Sequence, residues 1–276
     1  MSQATFESIK KTKLKLKKSL GQNFLTQENI VRDIVACGNV DKETTVVEIG
    51  PGIGALTGVL IEKANQVIAI EIDQRLIPIL NEKFGDKITL KNEDFLMVDI
   101  YNLKNIIVNN KVKVIANLPY YITTPIINKI MMEMPYIDEV IIMVQKEVAE
   151  RICATPKSKK YNSLSVFCQT VSDVKYEFTV GKENFNPVPK VDSAIISLKR
   201  RNVDVDIKGF EFFVQNCFKQ KRKTLLNNLF NAYNFNKDEI EIFLIENELT
   251  KNSRSEEISN DKFKDLFDKF IKYQKK

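Results

Sequence analysis

The 276-residue chain contains no histidine. That absence removes the commonest general base, and with it the Ser-His and Cys-His pairs that activate a nucleophile. Any chemistry here runs without imidazole. The four cysteines, Cys37, Cys153, Cys168 and Cys217, are widely scattered with no C-x-x-C pair. A mixed zinc site would lack its histidines, so no metal is expected and the thiols read as buried and reduced. No apolar run approaches the roughly 20 residues that span a bilayer, and the basic start has no hydrophobic stretch behind it. A cytoplasmic protein, neither secreted nor membrane-bound, is the expectation.

What the chain does have is length and local positive charge. Its size suits one full α/β domain plus a smaller unit, with a core large enough to need no disulfide. Lysine and arginine number 42 against 36 acidic residues, a net charge of +6. Residues 1–20 form a basic arm with six lysines against Glu7 alone. A second cluster is Lys219, Lys221, Arg222 and Lys223, and smaller ones are Lys157/Lys159/Lys160 and Lys199/Arg200/Arg201. Each run alone also fits a solvated face. Together, on an otherwise balanced chain, they point to a polyanion partner, because each neutralised phosphate releases counterions.

Short β-branched runs alternate with longer helical patterns, the texture of a mostly parallel sheet covered by helices. Strands are predicted at Thr45–Ile49, Gln66–Ile72, Lys87–Leu90, Val112–Ala116 and Glu139–Val144. Apolar residues at helical spacing predict helices at Leu56–Ala64, Gln74–Phe84 and Thr124–Met134. Two further strand-like runs, Val171–Val180 and Ser193–Leu198, flank the turn-rich stretch Gly181–Pro189, which has no room for a helix. Strands joined this way pair as an antiparallel hairpin. The total is seven strands, one more than a simple dinucleotide-binding sheet needs. Past Arg201 the pattern turns helical, with Phe210, Phe213, Val214, Cys217 and Phe218 on one face and Phe263, Leu266, Phe267 and Phe270 on another, both read as core. The expected domains are therefore 21–203 and a small helical one over 204–276.

Glycines recur where the first strand turns into its helix, in Val46-Val47-Glu48-Ile49-Gly50-Pro51-Gly52-Ile53-Gly54. The backbone there must turn tightly and approach a ligand with no Cβ in the way. Glu71 follows 21 residues after Gly50, at the end of the next strand, where a carboxylate accepts both hydroxyls of a ribose. A nucleoside-bearing cofactor is the consequence. Its identity stays open on these residues. S-adenosylmethionine fits; Gly50-x-Gly52-x-x-Ala55 also satisfies the NAD or FAD fingerprint; and a tight structural turn needs no ligand. A third strand end carries Asn92-Glu93-Asp94-Phe95, where Asp94 accepts from an adenine amino group beside the Phe95 ring, or stands as an exposed turn acid.

The stretch Ile115-Ala116-Asn117-Leu118-Pro119-Tyr120 closes the fourth strand, where open α/β sheets bind ligands. It suits attack by an adenine amino nitrogen on a sulfonium methyl. That nitrogen's lone pair is delocalised into the ring, so it needs alignment and acceptors for its two N–H groups. Asn117 Oδ1 and the Leu118 carbonyl are candidate acceptors, Pro119 stiffens their turn, and Tyr120 offers a ring on which a flipped base stacks. The methylated nitrogen becomes acidic and loses its proton to water, consistent with a chain devoid of histidine. The alternative for the tetrapeptide is a plain turn.

Taken together, Gln22-Asn23-Phe24-Leu25, Glu48-Ile49-Gly50-Pro51-Gly52, Asn117-Leu118-Pro119-Tyr120 and Phe185-Asn186-Pro187-Val188-Pro189-Lys190-Val191-Asp192-Ser193 resemble the ribosomal RNA adenine dimethyltransferase family. Lys219-Gln220-Lys221-Arg222-Lys223-Thr224-Leu225 and Gln145-Lys146-Glu147-Val148-Ala149 are similar to its small-subunit branch, whose loss confers kasugamycin resistance, rather than to the macrolide-resistance branch. The resemblance implies a class I, Rossmann-like seven-stranded methyltransferase sheet with a small C-terminal helical domain. It implies S-adenosylmethionine as cofactor, and dimethylation of N6 on two adjacent adenosines in the 3′-terminal hairpin of 16S rRNA in the assembling small subunit, by a monomer. It further implies that Asn23 and Leu25 close over the cofactor, Gly50 backs its amino-acid part, Glu71 holds the ribose, Asp94 reads the adenine, and Asn117 lies between cofactor and target nitrogen. Phe185 would face Tyr120 as a second aromatic jaw, although an anchored loop aromatic fits its surroundings nearly as well. Lys219, Lys221, Arg222 and Lys223 would bind RNA.

Overall fold

Residues 22–274 are described by a computed structural model of the chain. The basic arm expected over 1–20 lies outside the described residues. The strands are β1 (Phe24–Leu25), β2 (Thr44–Ile49), β3 (Gln66–Glu71), β4 (Thr89–Asn92), β5 (Lys111–Asn117), β6 (Glu139–Gln145), β7 (Ser172–Val180), β8 (Phe185–Asn186) and β9 (Ser193–Arg200). Seven of them form one sheet in the order β4-β3-β2-β5-β6-β9-β7, while β1 and β8 pair apart as a small antiparallel ribbon. The strands from β4 to β6 run parallel, and β9 runs antiparallel to β6. The mixed α/β sheet with a helical C-terminal part is the expected fold class.

The central strands bury both faces, which explains why they read as unbroken apolar runs rather than as alternation. Val46, Val47, Ile68, Ala69, Val114, Ile115, Ile141 and Ile142 are all completely buried. Each large aliphatic side chain of that kind contributes about 1.5–3 kcal/mol by leaving water. Helices Ala55–Lys63, Ile77–Phe84 and Thr123–Glu133 cover the sheet near their predicted positions. The last is held at its C-terminal end by Arg200, whose half-buried guanidinium donates to the carbonyls of Ile130, Met131, Met134 and Ile137. Carbonyls at a helix end have no partner within the helix, and one planar cation satisfies several of them here.

The chain divides into two compact units. One holds the described residues through Ala149 together with Lys175–Arg200; the other holds Glu150–Val174 and the chain from Arg201. The sequence boundary near 203 therefore misses a segment, since Glu150–Val174 belongs with the helices. The helix Ser163–Val171 and Tyr161 explain the difference. The Tyr161 hydroxyl is hydrogen-bonded to the Ile258 carbonyl at 3.0 Å and to Asn260 Oδ1 at 2.6 Å, and its ring meets Phe218 edge-on. Within this second unit Phe210, Phe213, Phe263, Phe267 and Phe270 are buried, with Phe213 and Phe270 centroids 5.2 Å apart. The aromatic stripes are core.

Candidate active site

The strand order reverses between β2 and β5, and ligands of open α/β sheets bind outside the carboxyl ends at that point. Gly50 follows β2 and Asn117 ends β5, so both motifs meet at the reversal. A cleft there is lined by Gln22 to Leu25, the Glu48–Ile53 turn, Glu71, Ile72, the Glu93–Leu96 segment and Asn117 to Ile122. The three turn glycines all take left-handed backbone, with φ of 66°, 61° and 84° at Gly50, Gly52 and Gly54. They serve different needs. A Cβ on Gly52 would lie 2.7 Å from the Phe24 ring and one on Gly54 2.3 Å from the Phe84 ring, so packing demands both. A Cβ on Gly50 meets nothing within 4 Å, leaving its face open for a ligand.

Buried carboxyls gather around this turn. Glu71 Oε2 accepts from the Gly52 N–H at 3.0 Å and Oε1 from the Asp73 N–H at 2.8 Å, which locks the glycine turn to the end of β3. Each carboxylate oxygen retains a second lone pair for a hydroxyl. Burial raises the Glu71 pKa, against the pull of those N–H groups. Glu48, completely buried on β2, accepts from Thr57 Oγ1 at 2.7 Å, and burial pushes its pKa up to about 8. Asp94 Oδ1 accepts from the Leu96 N–H at 2.9 Å, capping a short turn that presents Phe95, itself buried, to the cleft wall. A nucleoside-bearing ligand, with hydroxyl and amino groups to pair, suits this set of donors and acceptors.

The N-terminal segment is strapped across the site at three points. Gln22 Nε2 donates to Asp73 Oδ2 at 2.8 Å. Asp73 is held down to about 2, chiefly by its hydrogen bonds from Arg75 and also by Gln22. Asn117 Nδ2 donates to the Asn23 carbonyl at 3.1 Å. Phe24 and Leu25 pair with Asn186 and Phe185 in the β1–β8 ribbon, so two motifs about 160 residues apart share one small sheet. The turn after β5 is equally fixed. The Leu118 N–H donates to the Met143 carbonyl at 3.1 Å, the Pro119 carbonyl accepts from Ile122 N–H and Thr123 Oγ1, and the Tyr120 hydroxyl lies 2.6 Å from Ser193 Oγ.

The cleft thus unites Asn23, Leu25, Gly50, Gly52, Glu71, Asp94, Phe95, Asn117, Leu118, Pro119 and Tyr120. Phe185 is the exception and corrects the expectation of an aromatic jaw. It is 2 % exposed, sits in the hydrophobic core opposite Leu25, and is not part of the cleft lining. The ring packs within the core at the β1–β8 ribbon rather than along the cleft. Sequence reasoning instead passes over Tyr121, which lines the cleft and is 56 % exposed. The signal that could find it is a second aromatic directly after the first in Pro119-Tyr120-Tyr121. Lys219, Lys221, Arg222 and Lys223 belong to the second unit, exposed on the turn between helices Ile207–Phe218 and Leu225–Ala232. Lys221 Nζ donates to the Lys159 carbonyl at 2.9 Å, which brings the Lys157–Lys160 cluster beside that turn. Among the described residues no cluster suits a metal ion, and no helix is long and apolar enough to cross a membrane.

The chain is 47% identical over 235 residues to the ribosomal RNA small subunit methyltransferase A of Bacillus pumilus, covering 82% of this chain and 80% of the relative. It is 42% identical to the Lactococcus lactis protein of the same name, covering 98% and 95% of the two. Among solved structures, a dimethyladenosine transferase from Plasmodium falciparum is similar, with a TM-score of 0.78 at 25% identity, covering 91% of this chain and 98% of that one. The 23S rRNA methyltransferase ErmE follows at 0.67 and 26%, covering 90% and 100%. The family described as ribosomal RNA adenine dimethylase matches residues 13–272, and the chain belongs to that family.

Proposed function

We propose that this protein transfers methyl groups from S-adenosylmethionine to N6 of two adjacent adenosines in the 3′-terminal hairpin of 16S rRNA, acting in the cytoplasm on the assembling small subunit. The observation that carries the proposal is the convergence of an open-faced Gly50, the buried Glu71 carboxyl and the Asn117 amide on one cleft. Its relatives named as small subunit methyltransferases support the choice of substrate.

S-adenosylmethionine, when bound, supplies an activated methyl on a sulfonium whose leaving group is a neutral thioether. Glu71 accepts the ribose hydroxyls, Asp94 the adenine amine, and Gly50 lets the backbone approach the amino-acid part. Asn117 does the work on the acceptor. Its Nδ2 is committed to the Asn23 carbonyl, so the amide oxygen is the atom left to accept an N–H of the target adenine. The Leu118 carbonyl accepts the other N–H. Two such bonds draw the nitrogen towards a tetrahedral, amine-like state, and the gain is realised in the transition state rather than before it. Tyr120, tethered to Ser193, supplies the stacking face. No side chain takes the proton; the N-methylated cation releases it to water. Lys219, Lys221, Arg222 and Lys223 hold the RNA backbone.

The test is to map dimethyladenosine in rRNA from cells with and without the gene. Loss of both marks in the 3′-terminal hairpin is expected. Unchanged marks would overturn the assignment.

A further inference from the structure

Tyr121 has no part in the chemistry above, yet it occupies the same cleft. An aromatic side chain that is 56 % exposed leaves a large apolar surface in water, and Ile72, also a cleft residue, is 48 % exposed. Apolar groups left wet at the mouth of a pocket are the ones a ligand covers. Which ligand is decided by what surrounds the phenol. Its proton is held more tightly than in an ordinary tyrosine, first by partial burial, then by the charges of Asp94 and Glu71. Those are the two carboxyls assigned above to adenine and ribose. Tyr121 shares the cleft lining with both of those carboxyls, with the exposed Ile72 and with the buried Phe95 ring. Its neighbour Tyr120 is committed to Ser193 and belongs with the acceptor turn. Two consecutive tyrosines divide the labour.

We infer that Tyr121 is a cofactor-binding residue whose ring covers the adenosine part of S-adenosylmethionine and becomes buried when the cofactor enters. The inference rests on the cofactor reading given above and adds a contact to it. The ring, not the hydroxyl, supplies the affinity, since the surface to be removed from water is apolar and, among the described residues, no hydrogen bond anchors the phenol in advance.

The experiment is a titration of the full chain with S-adenosylhomocysteine by calorimetry, and separately with a labelled RNA hairpin. Both are run on the parent, Tyr121→Ala and Tyr121→Phe. Loss of a base-stacking ring weakens binding by about tenfold, and that rise in Kd is expected for Tyr121→Ala. Tyr121→Phe keeps the ring and stays within about twofold of the parent. RNA affinity is expected to be the same in all three. Parent-like affinity for S-adenosylhomocysteine in Tyr121→Ala overturns the inference, as does a loss confined to RNA, which would turn the ring towards the substrate. A parent that fails to bind S-adenosylhomocysteine at all fails the cofactor reading instead, so the two failures are distinct. The chain has eight tyrosines and no tryptophan, so tyrosine emission is unmasked. Should Tyr121→Ala not fold, Tyr121→Phe decides by fluorescence. The emission change on ligand addition must shrink in that variant, and an undiminished change overturns the inference.

Discussion

Asn117 donates its side-chain amide hydrogen to the backbone carbonyl of Asn23, 94 residues earlier in the chain, at 3.1 Å. The bond makes closure of the N-terminal strap and orientation of the reactive amide one event. A side chain that rotates freely would present nitrogen as often as oxygen to the target base. Removing Asn117 should therefore act on the chemical step. Loss of one preorganised transition-state partner costs about 10²–10³ in rate, and Asn117→Ala is expected to show that loss in single-turnover methyl transfer. Affinity for S-adenosylhomocysteine should also fall, because the strap loses its tie to Asn117, but by less than the rate. A parent-like rate would show that Asn117 takes no part in the reaction.

The Tyr120–Ser193 bond joins the turn after β5 to the start of β9, and Ser193 is fully buried. Tyr120→Phe leaves the serine hydroxyl without its partner, and Ser193→Ala does the same to the phenol. Each single change is expected to cost on the order of 1–3 kcal/mol in urea unfolding. The double variant should cost less than the sum, because no orphaned hydroxyl remains. Additive costs would mean the two groups are not coupled.

Much of this site can be read from the residues because the sheet is regular. Strands buried on both faces announce themselves as apolar runs, and the residues that end them, Gly50, Glu71, Asp94 and Asn117, then fall on one edge by topology alone. The failures share another cause. The ribbon of β1 and β8 is two residues long in each strand, too short for any periodicity, so nothing local foretells that Leu25 faces Phe185. Phe185 consequently reads as a site residue when it belongs to the core beneath the site. Glu150–Val174 escapes a local reading because Tyr161 packs with Phe218 and Asn260, both far along the chain. The predicted strand Lys87–Leu90 lies two residues later, at Thr89–Asn92, since a 3₁₀ turn over Gly85–Lys87 takes up its first residue.

Gly50 and Gly54 have the same backbone sign but opposite surroundings, and substitution separates the two roles. A non-glycine residue in left-handed backbone costs about 1–2 kcal/mol wherever it stands. Gly54→Ala adds a clash with Phe84 and is expected to lower the melting temperature sharply. Gly50→Ala meets no protein atom, so only the backbone cost should appear in the melt, while affinity for S-adenosylhomocysteine falls by an order of magnitude or more, roughly the effect of one misplaced group. Equal behaviour of the two variants in both assays would deny Gly50 its ligand-facing role.

The turn bearing Lys219, Lys221, Arg222 and Lys223 is exposed, and Lys221 ties it to the Lys159 backbone. Cations that neutralise phosphates act on all RNA sequences alike. Replacing Lys221, Arg222 and Lys223 with alanine is expected to weaken RNA binding evenly and to flatten its salt dependence, by roughly one unit of slope for each phosphate no longer neutralised. Titrations of the hairpin at several salt concentrations check it. A slope that does not move would put the RNA surface elsewhere.

Glu48 gives the protein a stability that depends on pH in a definable direction. Its carboxyl is fully buried, accepts one hydrogen bond from Thr57, and has its pKa raised from 4.5 to about 8 by burial. The folded state therefore binds this proton more tightly than the unfolded one. Below pH 4.5 the group is protonated in both states and has no effect. As pH rises from 4.5 to about 8 the unfolded chain ionises it freely while the folded chain does not, so stability falls across that window and the loss is complete above it. Glu48→Gln keeps the shape and cannot ionise. Relative to the parent it is expected to gain on the order of a few kcal/mol at about pH 9 and almost nothing at about pH 4.5, since each pKa unit corresponds to about 1.4 kcal/mol. Denaturant unfolding of both proteins across this range measures the difference. An advantage that stays constant with pH, or a variant weaker than the parent in the alkaline range, would mean that the Glu48 carboxylate is stabilised in the fold rather than suppressed by it.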